Sequence, residues 1–240
     1  MIKIQEELTD GTRIFGWKSE PPLTPFAPSY AHYLSEKKIF SEEECKEWND
    51  YLLEQELILL DGLGDNYIRR PGGMPVQINL LKFDFHLIPK LKTELLNGIK
   101  SILSVSGNID WQGTLYANSW FNVLQQGQSL NAHIHSYHKN TFYGFHVNIN
   151  TIDTFTSYYH PIKFQEESIH VPNKIGCLCL FPHFIPHGVS QNNHETPRIT
   201  VAGDIFPATW LDEKPEAPEN ENLVEKGVFE DFLRIGICGD

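Results

Sequence analysis

Apolar residues recur three and four positions apart after Phe40. Cys45, Trp48, Tyr51 and Leu52 fall on one face of a helix. Its start is marked twice: Ser41 followed by Glu44 forms a capping box, and Phe40 holds the staple position before it. A second helix is predicted over "FHLIPKLKTELLNGIKSILS", where Leu87, Leu91, Leu95, Ile99 and Ile102 make a single stripe that must pack on another layer. From about Leu115 the period changes. Short aromatic and β-branched runs at 115–124, 131–136, 142–149, 154–159, 167–171, 176–181, 185–190 and 198–206 alternate with turn signals at Gly127, Asn150, Pro172-Asn173, Gly176 and Asn192-Asn193. Eight short strands after two helices predict a mainly β protein: an antiparallel sandwich of the jelly-roll kind, with two N-terminal helices packed on one sheet.

The flanks carry weaker patterns. Residues 1–28 contain several prolines and read as an extended arm leading to a strand near 29–34. The segment "GLGDNYIRRPGG", residues 62–73, is rich in glycine and charge and reads as a loop long enough for a lid. Its Arg69 and Arg70 either recognise an anionic small molecule or belong to a solvated turn. "DEKPEAPENENLVEKG" reads as a solvated linker, and "VFEDFLRIGICGD" behind it is apolar enough to dock on the body or on a second subunit, the latter giving a homodimer. The expected organisation is one domain over 1–210, with its β core at about 115–206, and an acidic extension over 211–240.

Composition narrows the classes. Of 240 residues, 40% are hydrophobic and 12% aromatic, enough for a sizeable core. The net charge of −12 argues against nucleic acid or an anionic membrane as partner. No apolar run reaches the ~18–20 residues that span a bilayer, and "MIKIQEELTDG" lacks the apolar centre of a signal peptide. A cytoplasmic protein is expected. The four cysteines form no CxxC pair, and Cys177 and Cys179 share one face of a predicted strand, as core residues do.

The histidines change the picture. Three of the 11 fall within "NAHIHSYHKN". His133 and His135 are two apart in a predicted strand, so their rings share a face. A third ligand must come from another strand, and "KIGCLCLFPHFIPHGVSQNN" offers His183 and His187. Two ligands from one strand and one from a distant strand make a facial metal site; the competing reading is exposed loop histidines. His146 either faces the same cavity or packs in the core, and His194 reads as surface. Arg198 follows His187 by eleven residues, with Thr200 on the same strand face. An inward arginine is costly to bury without an anion, and its planar fork suits a carboxylate. The residues thus point to a metal plus a carboxylate-bearing molecule, against the alternative of a structural Arg198 paired with Asp204 or Glu195.

The stretches "SWFNVLQQGQSLNAHIHSYHKNTFYGFHVNIN" and "VPNKIGCLCLFPHFIPHGVSQNNHETPRITVAGDIF" resemble the iron(II)/2-oxoglutarate-dependent oxygenases, and within them a bacterial and phage branch with W-x-N-x-x-x-x-G, H-x-H and G-x-L-x-L-F-P-x-x-x-x-H motifs. The resemblance covers 115–206, and "FSEEECKEWNDYL" is similar to the helix that often precedes that core. It implies a cupin-like double-stranded β-helix that binds Fe(II), 2-oxoglutarate and O2 and hydroxylates a small-molecule substrate with release of succinate and CO2. By the same resemblance His133 matches the first iron ligand and His187 the distal one. Arg198 matches the residue that binds the far carboxylate of 2-oxoglutarate, Thr200 the hydroxyl of the R-x-S pattern, and Asn122 and Tyr116 line the cosubstrate pocket.

Two departures stand out. His135 occupies the place where most of the superfamily has Asp or Glu, so the 2-His-1-carboxylate triad becomes three histidines unless a carboxylate such as Asp153 or Glu166 comes from elsewhere. Three neutral ligands leave one more positive charge on the metal and strengthen its hold on anions. The loop "SYHKNTFY" is about two residues longer than the branch usually has. Three alternatives stay open: a three-histidine cupin-type dioxygenase or isomerase that does not use 2-oxoglutarate, a jelly-roll binding module without activity, and a zinc hydrolase, for which no general base is evident.

Overall fold

The computed structural model describes residues 2–63, 79–135, 142–164, 166–207 and 233–238. The capping box forms: Ser41 Oγ accepts from the Glu44 N–H at 3.2 Å, and Glu44 Oε2 accepts from the Ser41 N–H at 2.8 Å. It opens α1 (Glu42–Leu63), whose Cys45, Trp48 and Leu52 are buried. In α2 (Ile88–Val105) Pro89 occupies the first turn, where its missing N–H leaves no bond unmade. The stripe of Leu91, Leu95, Ile99 and Ile102, extended by Leu87 just ahead of the helix, is buried throughout.

The described residues form twelve strands, numbered in chain order: β1 (Ile2–Glu7), β2 (Arg13–Lys18), β3 (Ala31–Lys38), β4 (Gly113–Leu124), β5 (Leu130–His133), β6 (Tyr143–Asn150), β7 (Phe155–Tyr159), β8 (Ser168–Pro172), β9 (Cys177–Pro182), β10 (His187–Val189), β11 (Arg198–Pro207) and β12 (Leu233–Cys238). Each of the eight runs predicted after Leu115 overlaps one of β4 to β11. An eight-stranded sheet has the order β1-β2-β3-β9-β6-β11-β4-β12, and a four-stranded sheet the order β5-β10-β7-β8. All pairings are antiparallel.

The N-terminal segment differs from the expected arm. β1 and β2 form a hairpin from Ile2↔Lys18 to Glu7↔Arg13, and β2 continues onto β3. Ile4 and Ile14 face the helices, while Phe15 and Trp17 join the core between the sheets. Alternation in "MIKIQ" and "RIFGWK" carried this signal, masked by the prolines further on. At the other end β12 pairs with β4, so the apolar end of the tail lies on this chain's own sheet. Gly62 and Leu63, the first residues of the loop predicted over 62–73, belong instead to the end of α1. Residues 64–78, residues 136–141 of the "SYHKNTFY" loop, and residues 208–232, which include the predicted acidic linker, lie outside the described residues.

The helices cover one face of the large sheet. Leu178 and Leu180 of β9, Phe145 and Val147 of β6, and Val201 and Ile205 of β11 meet the helix stripes there. The other face meets the small sheet through Phe15, Trp17, Leu34 and Phe181 against Tyr158 and Val171. Cys177 and Cys179 are free and buried. Among the described residues, no helix is long and apolar enough to cross a membrane.

Leu91 is fully buried beneath α2. Truncating it to alanine removes apolar contacts and leaves a cavity, so Leu91→Ala should destabilise the fold by about 2–5 kcal/mol, measured by urea denaturation.

Candidate metal centre and carboxylate pocket

Register brings the first two histidines together: His133 of β5 is the Cα partner of His187 on β10. His135 lies just beyond β5, where its N–H donates to the His183 carbonyl at 2.9 Å. Ring centroids are 4.4 Å apart for His133 and His187, 5.0 Å for His135 and His187, and 5.5 Å for His133 and His135. One ring nitrogen from each lies within 4.8 Å of the others, a spacing that could hold a metal ion.

The partners of these rings fix which nitrogen is free. His133 Nδ1 is 2.9 Å from the Asn131 carbonyl oxygen, and His187 Nδ1 is 3.1 Å from the Ile185 carbonyl oxygen. His135 Nδ1 is hydrogen-bonded to Asp204 Oδ1. Carbonyls and carboxylates only accept, so in each ring Nδ1 carries the proton and Nε2 keeps the lone pair a metal requires. Electrostatics favour the neutral form as well. Burial holds the His187 imidazolium well below its ordinary pKa, with His135 and His133 adding to the effect, and desolvation lowers His133. Asp204 lies deep in the same network. Burial pushes its carboxyl up, but the hydrogen bonds from His135 and His183 outweigh that and hold it below the usual carboxylate range. His183 Nε2 is 3.3 Å from Asp204 Oδ1.

The inner face of the large sheet supplies the rest. Arg198, Thr200, Ala202 and Asp204 alternate inward along β11, and a register shift against β6 falls between Ile199 and Thr200. Asn122, Thr200 and Asn148 stand side by side on β4, β11 and β6. Arg198 is 2% exposed. Its Nη2 donates to Asn148 Oδ1 at 3.2 Å, while Nε and Nη1 have no partner. Burial lowers its pKa to about 10, so it remains a cation at neutral pH. Asn122 Nδ2 lies 3.5 Å from Thr200 Oγ1, and Asn122 Oδ1 and Asn148 Nδ2 are unpaired. His146 Nε2 is 2.8 Å from the Tyr158 hydroxyl, and its Nδ1 is unpaired. Burial, then the charges of Arg198 and His135, lower the His146 pKa to about 3.

Arg198, Thr200, Asn122, His146 and the three histidines line one cavity of about 530 Å³, walled by Trp120 and Phe181, and among the described residues no acidic side chain lines it. Leaving a buried guanidinium with two unpaired nitrogens costs several kcal/mol, a penalty that an anion in the cavity removes. The arrangement suits a divalent metal at the histidines and a small carboxylate-bearing molecule reaching toward Arg198.

The structure gathers most of the candidate residues here. His133, His135, His187, Arg198, Thr200 and Asn122 all line the cavity, as does His146. Tyr116 does not: it shares the inward face of β4 but lies six residues before Asn122, beside Phe206 and Arg234. His183 turns toward Asp204 and does not join His133 and His187. Asp153 is 3.7 Å from His194 at the surface and Glu166 is 3.7 Å from Lys163, both away from the histidines. Arg198 pairs with the neutral Asn148, not with Asp204 or Glu195. The residue missed in the sequence is Asp204 as a partner of His135. Its signal was its even spacing from Arg198 and Thr200 on one strand face.

No protein-family model matches the chain, and no curated protein matches it. Solved structures do share its fold. A prolyl-4-hydroxylase from Pseudomonas putida is 12% identical, with a TM-score of 0.52, over 73% of this chain and 92% of that one. The non-heme alpha-ketoglutarate-dependent epimerase SnoN from nogalamycin biosynthesis is 12% identical, with a TM-score of 0.53, over 77% and 85%. The apo form of the non-heme monooxygenase ThoJ is 14% identical, with a TM-score of 0.51, over 71% and 72%.

Burial also keeps His32 neutral, lowering its pKa from 6.5 to about 4 with a contribution from His160. Groups whose folded pKa is depressed bind more protons when unfolded, so stability is full above pH 6.5 and declines as pH falls toward the folded values. The melting temperature of the metal-free protein should drop steadily below about pH 6.5, and His32→Phe should flatten part of that decline in a pH series of thermal melts.

Proposed function

We propose that this chain is an Fe(II)/2-oxoglutarate-dependent oxygenase that hydroxylates a small molecule. One observation carries the reading: Arg198, buried and without an acidic partner, shares a cavity with three histidines whose Nε2 lone pairs are free. The strand order supports a double-stranded β-helix over 115–206 within a single domain of 1–210, because β4 to β11 alternate between the two sheets in the sequence large, small, large, small, small, large, small, large. The likeness in fold to a prolyl-4-hydroxylase, an alpha-ketoglutarate-dependent epimerase and a non-heme monooxygenase agrees with it.

In this reading His133, His135 and His187 hold the iron. Arg198 pairs with the far carboxylate of 2-oxoglutarate through Nε and Nη1, Thr200 adds its hydroxyl, and Asn148 keeps the guanidinium in place. Asn122 steadies Thr200. Trp120 and Phe181 keep water from the reacting centre. When bound, Fe(II) and 2-oxoglutarate supply the oxidising power with O2, yielding succinate and CO2. A second reading, a three-histidine dioxygenase that does not use 2-oxoglutarate, is favoured by the imidazole of His135 in place of a carboxylate, and it leaves Arg198 without an assigned anion.

Anaerobic Fe(II) and 2-oxoglutarate should give the purified protein a weak visible charge-transfer band. His187→Ala should abolish the band. Arg198→Ala should require on the order of 100-fold more 2-oxoglutarate, the loss of two charge-assisted hydrogen bonds. Tight iron binding without a band would select the second reading.

A further inference from the structure

The histidine triad lacks a negatively charged ligand, yet an acidic group stands directly behind it. Asp204 Oδ1 is hydrogen-bonded to His135 Nδ1, and His183 Nε2 lies 3.3 Å from the same oxygen. The His183 ring is itself fixed: the Phe142 N–H points at its Nδ1 at 3.4 Å, which leaves Nε2 as the donor toward Asp204. Asp204 is anchored from below, since its N–H donates to Asn118 Oδ1 at 3.2 Å. Among the described residues, no acidic side chain lines the cavity. One hydrogen bond to His135, the His183 ring 3.3 Å away and a fixed backbone therefore aim one carboxylate at one nitrogen of one candidate ligand.

We infer that Asp204 is the carboxylate of this metal centre, moved one residue outward: a positioning residue that acts through His135. It locks the ring with Nε2 toward the metal and places a negative charge behind the ligand, where the 2-His-1-carboxylate arrangement places it on the metal. The inference rests on the proposed function only in needing a metal at His133, His135 and His187. It adds that His135 and Asp204 form one unit.

The pairing can be tested by metal affinity alone. Co(II) binding to the full chain is measured by calorimetry for wild type, Asp204→Asn, His135→Asp and the double variant. Asp204→Asn keeps an acceptor and removes the charge, and should weaken Co(II) binding 10- to 100-fold, the usual cost of losing such a partner. His135→Asp puts the carboxylate on the metal itself, so in that background Asp204→Asn should cost nothing or tighten binding by relieving repulsion. The same loss in both backgrounds would show a merely structural role and overturn the inference. So would an unchanged affinity in Asp204→Asn. Asp204 as a direct ligand, with His135 and His183, predicts that His183→Ala abolishes binding while His133→Ala leaves it intact, and this result also overturns it. A wild type that binds no divalent metal would overturn the functional reading and the inference together. A readout without metal is the 15N spectrum of histidine-labelled protein: His135 should show a single Nδ1–H form in wild type and a mixture of tautomers in Asp204→Ala.

Discussion

A buried cation without a matching acid constrains this molecule most. Arg198 begins β11, with β4 on one side and β6 on the other. Among the described residues its hydrogen-bond partner is a neutral amide oxygen. Such a group persists only where the scaffold overdetermines its place, and the scaffold does so here. The outward neighbour of Arg198, Ile199, is fully buried in the helix-side core. Moving the guanidinium out to water would mean withdrawing Ile199 from beneath the helices. Apolar packing on one face of the strand thus maintains the electrostatic strain on the other, a coupling that follows from the two-residue period of a β-strand.

The space between the sheets is divided by the same logic. One half is dry: Phe15, Trp17, Leu34 and Val171 interlock. The other half carries the amides, the threonine, the arginine and the histidines. Tyr158 and Phe181 form the boundary. Tyr158 packs on Phe15 and offers its hydroxyl to His146, and the Phe181 ring lies 4.2 Å from that of His187. Gly144 is needed at this boundary. A Cβ there would come within 2.7 Å of the Phe181 ring and 3.2 Å of His135 Nδ1, so any side chain would push on the pair formed by His135 and Asp204.

Local rules made much of this legible. The capping box, the leucine stripe of α2 and the turn-punctuated strands are short-range signals, and each maps to an element of the structure. HxH spacing placed two rings on one face, while pattern alone left His183 and His187 open as the distal partner and the resemblance pointed to His187. Other features depend on pairings that no local pattern encodes. The hairpin of β1 and β2 was obscured because its alternation is brief and its partner, β3, lies beyond a proline-rich stretch. Tyr116 has the correct face but the wrong height along β4, and periodicity gives faces without giving heights. Asp204 lies 69 residues from His135. Only the β11–β6 register, shifted between Ile199 and Thr200, brings it beneath that ring.

Charge balance then explains why a histidine can occupy position 135 at all. In a cavity walled by aromatic rings, unbalanced charge is expensive. Arg198 and Asp204 carry opposite fixed charges and lie at different heights of one strand, so the empty framework is close to neutral. A divalent metal alone would leave two positive charges, which a dicarboxylate cancels while also giving Arg198 the partner it lacks. Without Asp204 the same filled cavity would keep one positive charge. A carboxylate bound to the metal would meet that requirement as well, but it would occupy the position of His135. Holding the acid behind the ring meets the same electrostatic requirement with a neutral ligand on the metal, and it makes the orientation of His135 depend on a strand on the opposite sheet. The candidate metal centre and the candidate anion pocket are therefore tied to alternate residues of β11, and any distortion of that strand should be felt at both.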